Sequence, residues 1–210
     1  MTDQTTPSGG PRAPTGTMTR LEGPQGTAAV QATLGRPETV AFTQHLTALG
    51  YRRADANMGA AVLSSGGYED TQVCIPFEKD QHHWAFVLHT SNIHGRHKLI
   101  CCEADTTRLA TIGASDQERT RESARKPDGT ADVGVLERAG LIPRGPQWIY
   151  VNGQVLQGTT CDFWGCWWPH IYWCCGASAI SCILSGPAWW ICMSLRCGGC
   201  MVLTHFWCGC

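Results

Sequence analysis

Apolar side chains change their spacing along this chain, and each spacing predicts a different kind of element. Phe42, Leu46 and Leu49 stand at i, i+4 and i+7, which is one face of a helix. Pro37 and Glu38 suit its first turn, and Gly50 suits its end. Short apolar or alternating runs follow at 60–64, 71–77 (TQVCIPF), 83–90 (HWAFVLHT) and 98–102 (KLICC). Turn-forming residues separate them, so they read as antiparallel strands. Residues 116–122 are polar and mixed in charge. They fit an exposed helix with Glu118 and Glu122 near Arg121 and Arg125. A short helix is expected within 131–141. Residues 147–157 place Asn152-Gly153 between two apolar runs, the pattern of a two-residue type I′ hairpin.

Two regions fall outside this pattern. Residues 1–36 are rich in Pro, Gly, Thr and Gln and offer few large apolar groups, so they are expected to stay disordered. From Cys161 to Cys210 the chain is largely apolar, and only Asp162 and Arg196 are charged. The predicted fold is therefore α+β. A disordered leader (1–36) precedes a small antiparallel, β-rich domain with flanking helices (37–157). A linker (158–160) then leads into a compact, largely apolar, helical and disulfide-rich peptide (161–210).

Composition sharpens the reading of that last segment. It holds 10 of the 13 cysteines and 7 of the 9 tryptophans. The formal net charge of the whole chain is -1, so no nucleic-acid partner is expected. The first residues carry no apolar segment of secretory-signal type and name no export route. No Walker loop, G-x-G-x-x-G, G-x-S-x-G or H-E-x-x-H motif is present, so neither an enzyme nor a cofactor is expected.

Three chemistries would accommodate the apolar tail. The first is a set of disulfides among Cys161, Cys166, Cys174, Cys175, Cys182, Cys192, Cys197, Cys200, Cys208 and Cys210. The neighbours Cys174 and Cys175 would then need different partners. The second is zinc, held by Cys197, Cys200, His205, Cys208 and Cys210. The third is lipid. Ile171 to Leu195 carries no charge and is long enough to span a bilayer, and Trp167, Trp168, Trp173, Trp189, Trp190 and Trp207 would contact the membrane.

Five histidines between His82 and His97 repeat no known ligand spacing and read as solvated or strand-edge groups. Cys74, Cys101 and Cys102 sit in apolar strands and read as small core residues. By alternation, Val73, Ile75, Trp84, Phe86, Leu88, Leu99 and Cys101 form apolar faces that either close the upstream domain's own core or cover the tail.

The cysteine rhythm of the tail resembles that of the halocin-type cysteine-rich peptide precursors. The similarity lies in the first cysteine pair, the seven-residue gap, Cys174-Cys175 and Cys182. The resemblance implies a precursor whose C-terminal peptide is a secreted or membrane-associated bacteriocin. It also implies an N-terminal part that binds the peptide and confers immunity. The implied partners are the target-cell membrane, the upstream domain itself, a processing protease and an exporter.

Overall fold

A computed structural model of the chain describes residues 16–92, 94–127, 131–158 and 162–208, with the side chains at 68, 169, 172, 173, 177 and 199–208 left aside. The chain opens with strand β1 (Gly16–Leu21), helix α1 (Gly23–Leu34) and helix α2 (Pro37–Ala48). A two-residue strand β2 (Arg52–Arg53) and a 3-10 turn (Asp55–Asn57) lead into four long strands. These are β3 (Gly59–Ser65), β4 (Tyr68–Glu78), β5 (His83–Asn92) and β6 (His97–Asp105). Three short helices follow, α3 (Thr107–Thr111), α4 (Ala114–Ser123) and α5 (Val133–Arg138), and then the hairpin β7 (Gln147–Val151) and β8 (Gln154–Gln157). The tail forms α6 (Phe163–Cys175), α7 (Ala177–Ile183), a 3-10 turn (Gly186–Ala188) and α8 (Trp189–Cys208).

All strands belong to one antiparallel sheet in the order β1-β3-β4-β5-β6-β7-β8, with β2 paired to the end of β4. The fold is thus α+β, and the expected strands, the α2 helix and the hairpin are all present. Asn152 and Gly153 both have positive φ (49° and 83°), as a type I′ turn requires.

The leader needs correction. Residues 16–34 are ordered as β1 and α1, although their composition predicted disorder. Their order comes from distant partners. β1 pairs with β3 from Gly16↔Ser65 to Leu21↔Ala60. α1 buries Gly26, Val30 and Thr33. A Cβ at Gly26 would lie 2.3 Å from the Leu21 carbonyl oxygen, so the helix can approach the strand only with glycine there.

The pleat divides the sheet into two apolar faces. Val73, Ile75, Phe77, Ala85, Val87 and Cys101 point one way and form a core with Val30 of α1 and with Phe42 and Leu46 of α2. Cys74, Trp84, Phe86, Leu88, Cys102 and Ala104 point the other way. There they share a second core with the short helices α3 and α5 and with the tail helices α6, α7 and α8. The surface expected to meet the tail therefore mixed two faces. Trp84, Phe86 and Leu88 do face it, whereas Val73, Ile75, Leu99 and Cys101 lie on the α1–α2 side, because antiparallel pairing puts Ile75 opposite Val87. Among the described residues, the tail shares this core with the sheet.

Candidate functional site: the sheet face that holds the tryptophan-rich tail

The floor of this site is set by strand periodicity. Every second residue of β5 (Trp84, Phe86, Leu88) is large and apolar, flanked by Cys74 on β4 and by Cys102 and Ala104 on β6. The lid is set by helical periodicity. α6 contributes Phe163, Trp164, Trp167, Trp168 and Ile171, a stripe at i, i+1, i+4, i+5 and i+8. α8 contributes Trp189, Trp190, Met193 and Cys197 in the same rhythm. All are buried. Phe86 is the centre of the contact, with ring centroids 5.0 Å from Trp189, 5.5 Å from Phe163 and 5.9 Å from Trp164. Trp84 meets Trp189 at 5.6 Å and Trp164 at 6.5 Å, the latter edge to face. Such pairs contribute about 0.5–1.5 kcal/mol each beyond the burial of their area.

Three of the tail's indole nitrogens are met from outside the tail. Trp168 Nε1 donates to the Leu141 carbonyl (2.8 Å), Trp164 Nε1 to the Glu103 carbonyl (3.3 Å) and Trp190 Nε1 to Gln72 Oε1 (3.3 Å). Trp84 Nε1 and Trp189 Nε1 are buried with no hydrogen-bond partner. Each such group costs roughly 1–3 kcal/mol, which apolar packing must offset. Glu103 serves both faces. Its carbonyl takes Trp164, while its carboxylate accepts from the Tyr51 hydroxyl and from Trp148 Nε1, both at 2.7 Å. Burial, reinforced by the bond to Glu103, pushes the Tyr51 hydroxyl far above the ordinary tyrosine range.

At the start of the tail, Asp162 Oδ1 accepts from the Gly165 backbone N–H and caps α6. Arg144 bridges that carboxylate (3.2 Å) to Glu137 of α5 (3.3 Å). These groups are exposed, so the clamp orients the entry of α6 more than it stabilises the fold.

The disulfide expectation is met in part. Cys175 is bonded to Cys197, tying α6 to α8, and Cys182 to Cys192, tying α7 to α8. The Cα–Cα distances are 5.5 and 5.2 Å. Cys166 and Cys174 are disulfide-bonded as well, so the vicinal pair does send its sulfurs to different partners. Cys161 and Cys210 lie outside the described residues, as do the side chains of Cys200, His205 and Cys208.

The zinc set is corrected at Cys197, whose sulfur is already bonded to Cys175 and cannot act as a thiolate ligand. No group of His, Cys, Asp and Glu suited to a metal occurs among the described residues. The single span from Ile171 to Leu195 is also corrected. Gly176 and Gly186 both adopt φ +60° and break it into separate helices. No described helix is long and apolar enough to cross a membrane. Trp167, Trp168, Trp189 and Trp190, expected at a lipid surface, are buried against the sheet in this conformation. The side chains of Trp173 and Trp207 are not among those described.

Cys74 and Cys102 on this face, and Cys101 on the α1–α2 face, are free thiols that burial pushes well above the usual range, which disfavours the nucleophilic thiolate. The histidines do not gather at one point, although the rings of His89 and His97 pack edge to face at 5.9 Å. His83 pairs with Asp80, and His97 bonds Arg36. His89, on the α1–α2 face, bonds Thr33 Oγ1 through Nδ1 at 2.8 Å.

Sequence reasoning missed Gly59, Gln72 and the Glu103 and Leu141 carbonyls as contacts of the tail. None of these contacts carries a distinctive local signal, since Gln72 stands in a strand that also holds Glu69, Asp70 and Thr71. No protein-family model, curated protein or solved structure matches the chain.

Proposed function

We propose that the chain is the precursor of a secreted, disulfide-stapled, membrane-active antimicrobial peptide. The peptide is residues 161–210, and the upstream part masks it until cleavage near Gly158–Thr160 and confers immunity afterwards. One observation carries the reading. The sheet already has a core on its α1–α2 face, and its second face is covered largely by a terminal segment whose buried side is almost wholly aromatic and aliphatic. The halocin-like cysteine rhythm points the same way.

The mechanism follows from what the tail would present once free. Trp164, Trp167, Trp168, Ile171, Trp189 and Trp190 would become accessible, while the Cys175–Cys197 and Cys182–Cys192 bonds keep the helices together. With one acidic and one basic side chain, the peptide enters bilayers by apolar burial rather than charge attraction. Its vesicle binding is therefore insensitive to salt and to anionic lipid. Before cleavage, direct attachment of the tail to the strand that precedes it gives a high local concentration, so a modest interface suffices for masking.

The test is a full chain carrying a specific protease site at 158–160. The intact protein should neither release dye from lipid vesicles nor inhibit bacterial growth. The tail, cut and separated with its disulfides intact, should do both, and added upstream part should suppress it. A separated tail that is inert on vesicles and on a broad panel of bacteria would refute the proposal.

A further inference from the structure

Trp190 sits in a slot bounded on one side by a residue with no side chain and on the other by a buried amide. On β3, Gly59 and Ala61 face the tail; on β4, Gln72 stands directly across from Ala61. The indole lies over Gly59, where a Cβ would be only 2.8 Å from Cζ3. Trp190 is fully buried, so its ring has no room to swing aside. At the other side of the ring, Nε1 donates to Gln72 Oε1, and Gln72 is 2% exposed. A buried amide oxygen that loses its donor is left without water to replace it. The slot therefore combines a steric requirement, a flat ring over a residue with no side chain, with a polar one, a donor at the indole nitrogen.

We infer that Gly59 and Gln72 are the specificity-determining residues by which the upstream part recognises its own peptide through Trp190, and refuses related peptides that lack tryptophan there. This rests on the masking reading above and names its recognition element. Discrimination of this kind is strong because the wrong side chain leaves a buried polar group unpaired, whereas a mismatch of apolar size alone discriminates weakly.

The experiment uses the full chain with the protease site at 158–160, cut, with disulfides intact. Release of the tail is followed over time by size-exclusion chromatography. The wild-type tail should stay bound. Gly59→Ala and Trp190→Phe should each speed release about tenfold, from overlap in one case and an unpaired Gln72 in the other. The double variant should be no worse than Trp190→Phe alone, because the smaller ring vacates the space the new methyl needs. If Gly59→Ala does not fold, the cycle of Gln72→Leu with Trp190→Phe decides. The second substitution should add little once the first has removed the bond.

Additive effects, or release unchanged by any of these substitutions while the wild-type tail stays bound, would overturn the slot and leave masking intact. Immediate loss of the wild-type tail would overturn both. A slot that behaves as expected with a freed tail that is inert on vesicles would refute the antimicrobial reading and leave the slot standing.

Discussion

On one face of the sheet, Ile75, Phe77 and Val87 meet two helices that precede them in the chain. On the other, Trp84 and Phe86 meet helices that follow. The first face is largely aliphatic and carries no disulfide among its described residues. Its buried polar side chains include a histidine, His89, held by Thr33 of α1. The second face is built from tryptophan and is tied by cystines between its helices. One sheet thus supports two covers that should fail under different conditions, the first in acid and the second in reductant. A cover that is stapled within itself and attached to the rest by one covalent link suits a part meant to be removed whole.

Reduction should give the largest effect. The Cys182–Cys192 and Cys175–Cys197 loops span 10 and 22 residues, and closing each contributes roughly 3 kcal/mol. Urea unfolding of the full chain should show a markedly lower midpoint with reductant. Hydrogen exchange should show α6–α8 losing protection before α1 and α2. Equal loss on both faces would abolish the distinction between the two covers.

Trp84→Ala should follow at about 3–5 kcal/mol, since it removes a fully buried ring from beneath the tail. Its exchange pattern should copy that of reduction. The matching change on the other face, Phe42→Ala, should be of similar size and loosen α1 and α2 first.

The acid effect should be smaller. Burial, with Arg36 and His97 nearby, lowers the His89 pKa from 6.5 to about 4, against an opposing pull from Glu38. The unfolded chain therefore takes up a proton near pH 6.5 that the folded chain refuses until about pH 4. Stability present above pH 6.5 is lost as pH falls through that window, by roughly 2–3 kcal/mol. His89→Gln should flatten this part of the stability–pH curve relative to wild type. Parallel curves for the two proteins would show that His89 is not the acid-sensitive element.

Arg144→Ala should have the least effect on stability, at most about 1 kcal/mol, because its partners are exposed. Its value is as a probe of the link between the covers. Protease should cut faster at an inserted 158–160 site, with no change in the urea midpoint.

Much of the fold was legible locally. Phe42, Leu46 and Leu49 marked α2, alternation marked β3 to β6, and Asn152-Gly153 marked the β7–β8 turn. These are short-range signals, and the backbone obeys them wherever the element ends up. The site was less legible. Trp84 and Phe86 could be assigned to one face of β5, but their grouping with Val73 and Ile75 failed. Register between strands depends on pairing across the sheet, which the pattern of a single strand does not contain. β1 and α1 were invisible for a related reason, since their order comes from β3 and, for β1, also from α8.

The sequence by itself determined that this chain has a patterned, charged portion and a nearly uncharged tail dense in cysteine and tryptophan, and that such a tail needs a partner or a staple. Only the tertiary structure decided that it has both. Periodicity can say that a side chain belongs to a face, because that depends on the local turn of the backbone. It cannot say what covers the face, because burial is settled by surfaces far apart in the chain. That is why Trp189 and Trp190, which read as membrane anchors in sequence, lie against Phe86, Gln72 and Gly59 in the fold.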